Sequence, residues 1–562
     1  MFSNMVKISK TGALGSAAVL AGGSASALLL ALTAAPGGAT TTLTVDSLAD
    51  GAAVAADCTT PVVDSCSLRD ALAAAADGDV ITFESGLVGT ITLSEGMLDI
   101  NAGLTLTGAG SASITIDANS ASKVFYIRSA ASDVTISGLS IINAIDSPIY
   151  AQNIGDLALT DVNVSGNSGP YGGALYISNE GAFTLTDSTI SNNTASSGGG
   201  GVYLYAEVTS AVITNTTISG NTSGKDGGGI KANFPGDLTI IDSTISNNTV
   251  DNNDDGGGVF ASDTIVSVTI IDSTVSGNTT GGAGGGAFLY NSGSVTIAGS
   301  TFDGNYASGW GGALYLGIDG KTITISDSTF SNNTSDSEGG AIDFDGYDQI
   351  VTINNSTIVG NTAGSSSNGG GIWKDEGGSL TINQSTITEN SAENGGGIYV
   401  TSSDFNEVAV TLSGTIVSNN SVTVLPVAAA PAAVDGPDIA MVWDDGDVLS
   451  LDHSLVGLVN DTADTEITDR GGNVRSSTTG LSPLADNGGL TQTMALLSTS
   501  AAVDAGPSPV ATFVGNEFDQ RGAGYARVVG ALVDIGAFEI QPPPAPTPTT
   551  APEAPVVPTF AG

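Results

Sequence analysis

The chain has 562 residues, with 13 Lys and Arg against 57 Asp and Glu, a formal net charge of −44 and 77 glycines. So few cations cannot neutralise a phosphate backbone, which excludes nucleic acid as a partner, and the excess of acids gives a soluble surface that repels polyanions. Two cysteines without a CxxC spacing, and a single distant histidine, leave no His/Cys metal centre.

Residues 1–39 carry Lys7 and Lys10, an apolar stretch over 17–32, and then Ala34-Ala35-Pro36-Gly37-Gly38-Ala39. This is the pattern of an export signal with a small-residue cleavage zone. A retained anchor is the alternative, but Gly22, Gly23, Ser24 and Ser26 interrupt the apolar stretch. No later segment is long and apolar enough to span a bilayer, so a secreted or cell-surface location is expected. In residues 40–83, Cys58 and Cys66 are expected to close a small disulfide loop in an oxidising compartment, contributing about 2–3 kcal/mol. Ser67 is placed to cap a short helix over 68–76 with Asp70 at its third position. That helix would cover the open first turn of the fold that follows. The stretch Cys66-Ser67-Leu68-Arg69-Asp70-Ala71 resembles the start of the CSLREA domain, with Asp70 where that pattern has Glu. The resemblance implies the front of an exported bacterial β-helix protein, and no chemistry.

Residues 84–423 are repetitive. Short β-branched runs with Gly-rich turns lead up to residue 142 and read as early, irregular turns. A β-branched or aromatic residue followed three positions later by Asn then recurs at Val164/Asn167, Ile190/Asn193, Ile218/Asn221, Ile245/Asn248, Val275/Asn278, Phe302/Asn305, Phe330/Asn333, Ile358/Asn361, Ile387/Asn390 and Ile416/Asn419, at intervals of 26 to 30 residues. Between copies come two or three glycines and an apolar pair, as in Gly227-Gly228-Gly229-Ile230. Three short strands per period, in phase, predict an all-β fold: a right-handed parallel β-helix. Turns would stack about 4.8 Å apart. Asn193, Asn221, Asn248, Asn278, Asn305, Asn333, Asn361 and Asn390 would form an amide ladder at one corner, where Asn tolerates left-handed backbone. The Asn-x-Ser/Thr triplets follow from the repeat itself and are not read as glycan acceptors.

Residues 424–480 lose the rhythm and read as a loop with final irregular turns. Residues 481–540 carry Asp486-Asn487-Gly488-Gly489, Ala502-Val503-Asp504-Ala505-Gly506, Asp519-Gln520-Arg521-Gly522 and Asp534-Ile535-Gly536-Ala537-Phe538-Glu539. In that order they resemble the choice-of-anchor Q domain at the distal end of β-helix proteins on bacterial surfaces, although Met494 stands where that family commonly has His. The block is expected to cap the C-terminal end of the coil. Asp519 and Arg521, two apart on one strand face, with Asp534 or Glu539 near Arg521 or Arg527, suggest a structural salt-bridge cluster or a cation or ligand site. Residues 541–562 are rich in Pro and Thr and are expected to be extended; the resemblance implies an anchoring signal that is not seen, so either the chain is released or its natural end lies beyond Gly562.

A lyase acting on polyuronate requires cations at the site, and the repeats hold only Lys225, Lys231, Lys321 and Lys374, with Lys123 and Arg128 earlier. A glycoside hydrolase requires two carboxylates about 5–10 Å apart. Asp343 and Asp345, about 6.6 Å apart by strand rise, are the candidate pair, although acids at this spacing on an exposed strand are ordinarily solvated. No cofactor is expected beyond Ca²⁺ at Asp251, Asp254 and Asp255. Trp310 and Trp373 are candidates to face a ligand. The expected role is a monomeric, adhesin-like structural protein presenting a rigid face to a carbohydrate or a surface protein. The alternative is a polysaccharide lyase or glycoside hydrolase acting in a groove.

Overall fold

The computed structural model describes residues 40–60, 65–128, 132–262, 264–375, 377–402, 407–422, 438–442, 448–461 and 466–542. The expected export signal, the excursion at 424–437 and nearly all of the Pro/Thr-rich tail lie outside them.

Alternating apolar residues make short strands, and glycine or Asn/Asp corners end them. One turn runs through Val202–Tyr205, Ser210–Thr214 and Thr217–Ser219, and the next begins at Ile230–Asn233. A fourth strand of two residues, Thr222–Ser223, lies between them and was not expected. Successive turns pair in parallel and in register, for example Ile213↔Ile240↔Ile270 and Ile218↔Ile245↔Val275. The first strand of each turn builds a 14-stranded sheet, the second and third merge into a 29-stranded sheet, and the two-residue strands that follow form a 7-stranded sheet and a separate pair, Ser391–Ala392 with Ser421–Val422. The inward side chains make a single apolar cluster running from Leu43 to Val456. Each buried Ile or Leu contributes about 1.5–3 kcal/mol, so this core supplies most of the stability.

The corner Asn residues are buried and form the expected ladder. Asn278 Nδ2 donates to Asn305 Oδ1 at 3.0 Å and to the Ile245 carbonyl at 2.9 Å. Its own Oδ1 accepts from the Asn248 backbone N–H and from Asn248 Nδ2, both at 3.0 Å. Two expectations change. The left-handed backbone belongs to the residue before each ladder Asn, such as Asn247 (φ 55°) and Gly277 (φ 61°). The amide that must point inward is thus carried by ordinary backbone, with the strained corner next to it. The last rung is Asn420, not Asn419: Asn390 Nδ2 donates to Asn420 Oδ1 at 2.9 Å, and the Asn420 amide ends on Asp438 Oδ1 at 3.0 Å. A second ladder went unread. At the corner between the second and third strands, Ser243, Ser273 and Ser300 hydroxyls each accept the backbone N–H of the equivalent residue one turn earlier, at 3.1–3.2 Å.

The N-terminal end is closed as expected, and the C-terminal segment is placed differently from expectation. The helix Leu68–Ala74 starts on a capping box between Ser67 and Asp70, and its Leu68, Ala71 and Leu72 join the core of the first turns. Cys58 and Cys66 are disulfide-bonded. The segment from Leu481 onward does not cap the C-terminal end. It is a set of turns and isolated bridges laid along the flank of the coil, and Asp519 and Arg521 are not on a strand. The outward Thr hydroxyls and corner amides of the third strands hold it there: Thr357 Oγ1 donates to Gln520 Oε1 at 2.6 Å, and Arg527, fully buried, donates to Asn355 Oδ1 at 2.5 Å. Arg521 pairs with Asp519 at 2.5 Å. Asp534 and Glu539 instead accept backbone N–H groups of Ile540 and Val529, so the cluster ties the segment together.

Asn278→Ala removes the acceptor of two buried donors and the donor to a buried carbonyl. At about 1–3 kcal/mol per orphaned group, it should lower stability by roughly 3 kcal/mol or more, read as a reduced denaturation midpoint. Asn247→Gly, at the left-handed corner beside the ladder, should shift it by less than about 1 kcal/mol.

Candidate functional site

The glycine corner positions the site. Gly227 has φ +73°, and a Cβ there would meet the Ile230 carbonyl oxygen at 2.5 Å, so only glycine turns this tightly. The first residue of the strand after the corner then points into the core and the second points out. The outward column reads Tyr126, Tyr150, Tyr176, Tyr203, Lys231, Phe260, Phe288, Tyr315, Asp343, Trp373, Tyr399.

Much of this column is a stack. Phe260 and Phe288 lie 5.2 Å apart at 5°, and Phe288 and Tyr315 4.8 Å apart at 3°. From Phe260 to Tyr315 each ring face is covered by the next ring, so this part of the column presents edges to solvent. Lys231 lies over Tyr203 and Phe260, and its ammonium is paired with Asp226 at 2.7 Å. Rings open to solvent flank the stack instead. Tyr171 (46% exposed) and Trp310 (49%) stand at the glycine corner on one side, and Tyr205 (41%) and Tyr290 (42%) two residues further along their strands on the other. Of the two expected ligand-facing tryptophans, Trp310 is the more exposed, and Trp373 is half-buried in the column.

Asp343 interrupts the stack between Tyr315 and Trp373. The expectation that it is solvated is wrong: it is 0% exposed, and neither carboxylate oxygen has a hydrogen-bond partner. Its neighbours in the column enclose it. Burial pushes its carboxyl well above the usual range, the negative charges of Asp345, Glu338 and Asp375 push it further, and Lys374 only partly opposes them. Asp343 therefore holds its proton more tightly than a solvated carboxyl does. Asp345, on the same strand, accepts a hydrogen bond from the Tyr315 hydroxyl at 2.5 Å. Glu338 occupies the corner position one turn beyond Trp310. Lys374 is no substrate-facing cation: it stands in the inward column beside Phe344, fully buried, with its ammonium donating to the Asp375 carbonyl.

The expected Ca²⁺ candidates serve the corner. Asp255 Oδ1 accepts the Ala283 N–H at 2.7 Å, and burial pushes its carboxyl up to about 6; the Asp254 carbonyl accepts from Thr280 Oγ1 at 2.5 Å, and Asp251 is exposed. Among the described residues no three His, Cys, Asp or Glu side chains are grouped to hold a metal ion. No helix among them is long and apolar enough to cross a membrane.

A carboxyl whose pKa is raised by folding takes up a proton that the unfolded chain has lost. Stability is then lost progressively as pH rises above the unfolded Asp value, about 3.9. Thermal melts of the wild type from pH 4 towards 8 should show a falling Tm. Asp343→Asn should flatten part of that slope, and an unchanged slope would refute an upward shift of the Asp343 carboxyl.

No curated protein matches the chain. Among solved structures it is similar to the pectate lyase Pel9A (14% identity, 90% of this chain and 97% of that one, TM-score 0.33). It is also similar to the catalytic unit of a thermostable GH87 alpha-1,3-glucanase from Streptomyces thermodiastaticus (15%, 72% and 64%, TM-score 0.38) and to the PL6 family alginate lyase AlyGC (12%, 76% and 74%, TM-score 0.31). The family described as "Right handed beta helix region" matches residues 124–310, 209–371 and 283–439, together more than half of the chain. In-register parallel turns, an apolar core and this match agree: the chain belongs to the right-handed β-helix family.

Proposed function

We propose that the chain is a secreted or cell-surface, adhesin-like β-helix that holds a neutral carbohydrate polymer along its aromatic strip. The observation that carries this reading is the placement of open rings, Trp310 and Tyr290, on either side of a stacked floor, next to the Asp343–Tyr315–Asp345 group. A pyranose offers an apolar C–H face to a ring and hydroxyls to donors and acceptors, and the strip supplies both. A net charge of −44 disfavours a polyanionic glycan. The solenoid keeps these side chains on a rigid scaffold, so little order is lost on binding.

The burial of Asp343 two residues from Asp345 on one strand, with its carboxyl shifted upward, favours a second reading, hydrolysis of a glycosidic bond with Asp343 as acid and Asp345 as its partner. It requires Asp343 to become accessible.

Sedimentation with insoluble neutral glucans, xylans and chitin should show retention of the wild type, weakened about tenfold in Trp310→Ala, the scale of one lost aromatic contact. Equal retention by the variant would refute the strip as the binding site. Reducing-end release that disappears in Asp343→Asn would replace the binding role with the hydrolytic one.

A further inference from the structure

The N-terminal part of the aromatic column is only partly stacked, and Tyr176 meets Tyr203 edge-on, 5.6 Å away at 81°. Tyr150 and Tyr176 stack at 4.6 Å and 16°, but Tyr126 meets Tyr150 edge-on, 5.5 Å away at 80°. Beside the edge-on pair is a pocket of about 310 Å³ lined by Met97, Ser122, Lys123, Tyr126, Asp146 and Tyr150. That volume lies at the small end of ligand sites.

Its chemistry is balanced. Lys123 pairs with Asp146 and lies 4.8 Å from the Tyr150 ring centre. Arg128 covers Tyr126 at 4.5 Å and pairs with Asp99 at 2.7 Å. Each cation is matched by an acid, so the pocket carries no net charge to select an ion. It offers an ammonium donor, a carboxylate acceptor, a serine hydroxyl, two phenol groups and ring surface. The Arg128–Asp99 pair and the Asp146 carboxylate are open to solvent while Lys123 is largely covered, and pairs with an exposed partner hold weakly enough for a ligand's hydroxyls to share them. A neutral, polyhydroxylated molecule with one apolar face meets every one of these features.

We propose that this pocket is a separate subsite for a single pyranose unit. It rests on the carbohydrate reading above and extends it. Tyr150 and Asp343 are seven steps apart in the column, roughly 34 Å at the strand spacing. A long polymer can therefore be held at both places at once, whereas a monosaccharide occupies the pocket alone.

The test uses the full chain with methyl glycosides of glucose, N-acetylglucosamine and xylose, followed by saturation-transfer NMR, and the polymer panel in parallel. At least one glycoside should receive saturation from the wild type. The signal should vanish in Lys123→Met and Tyr126→Ala, be reduced in Tyr126→Phe, which keeps the ring, and persist in Trp310→Ala. Polymer affinity should fall about tenfold or more in the pocket variants, because engagement at two places is lost. No saturation transfer to any glycoside, or transfer unchanged in the Lys123 and Tyr126 variants, overturns the subsite. If polymer binding survives Trp310→Ala but falls in the pocket variants, the subsite stands and the strip reading fails. Unchanged melting temperatures separate either result from loss of the fold.

Discussion

The buried asparagine ladder is the constraint on which the architecture depends. A parallel coil puts one polar corner of every turn against the apolar interior, and an unpaired backbone group there costs about 1–3 kcal/mol. The Asn side chain removes that cost at both ends. Its oxygen takes the backbone N–H and the amide N–H of the turn before, and its nitrogen reaches the next rung and a carbonyl behind. Because each rung satisfies its neighbours, a slip of one residue would orphan several groups at once. The apolar core supplies free energy but tolerates many hydrophobic exchanges; the amides specify which residues lie over one another.

That register makes the surface repeat as well. Once Ile342 and Phe344 are fixed inward, Asp343 must lie between Tyr315 and Trp373. An aromatic side chain in that column gains ring contacts above and below, whereas a carboxylate gains desolvation and three negative neighbours that Lys374 only partly offsets. A carboxylate that opposes its surroundings in this way costs stability, which is the physical reason for proposing it as part of a site.

The flanking C-terminal segment follows from the same regularity. The third strands present outward hydroxyls at one interval, at Thr329, Thr357 and Thr386, and the segment bonds to each through Gln492, Gln520 and Ala537. Where it lies, the coil's flank is covered. The aromatic strip is on another sheet and stays open.

The repeat, the parallel coil, the disulfide, the helical cap and the Asn column were legible in the sequence, because stacking copies local chemistry at a constant interval. Much of the aromatic column was legible too, since Tyr203, Phe260, Phe288, Tyr315, Trp373 and Tyr399 fall at equivalent positions near the glycine corners. Each glycine corner is followed at a fixed distance by its outward residue, and counting from Gly339 lands on Asp343 as counting from Gly311 lands on Tyr315. Tertiary structure decided what counting along the chain does not report: that neighbouring rings enclose Asp343, that Lys374 turns inward, that ladder amides sit beside the left-handed corner residues, and that the last segment runs along the flank. Each of these depends on contacts between residues one or many turns apart, and the free energy of burial is set by those neighbours and not by the residue's own type.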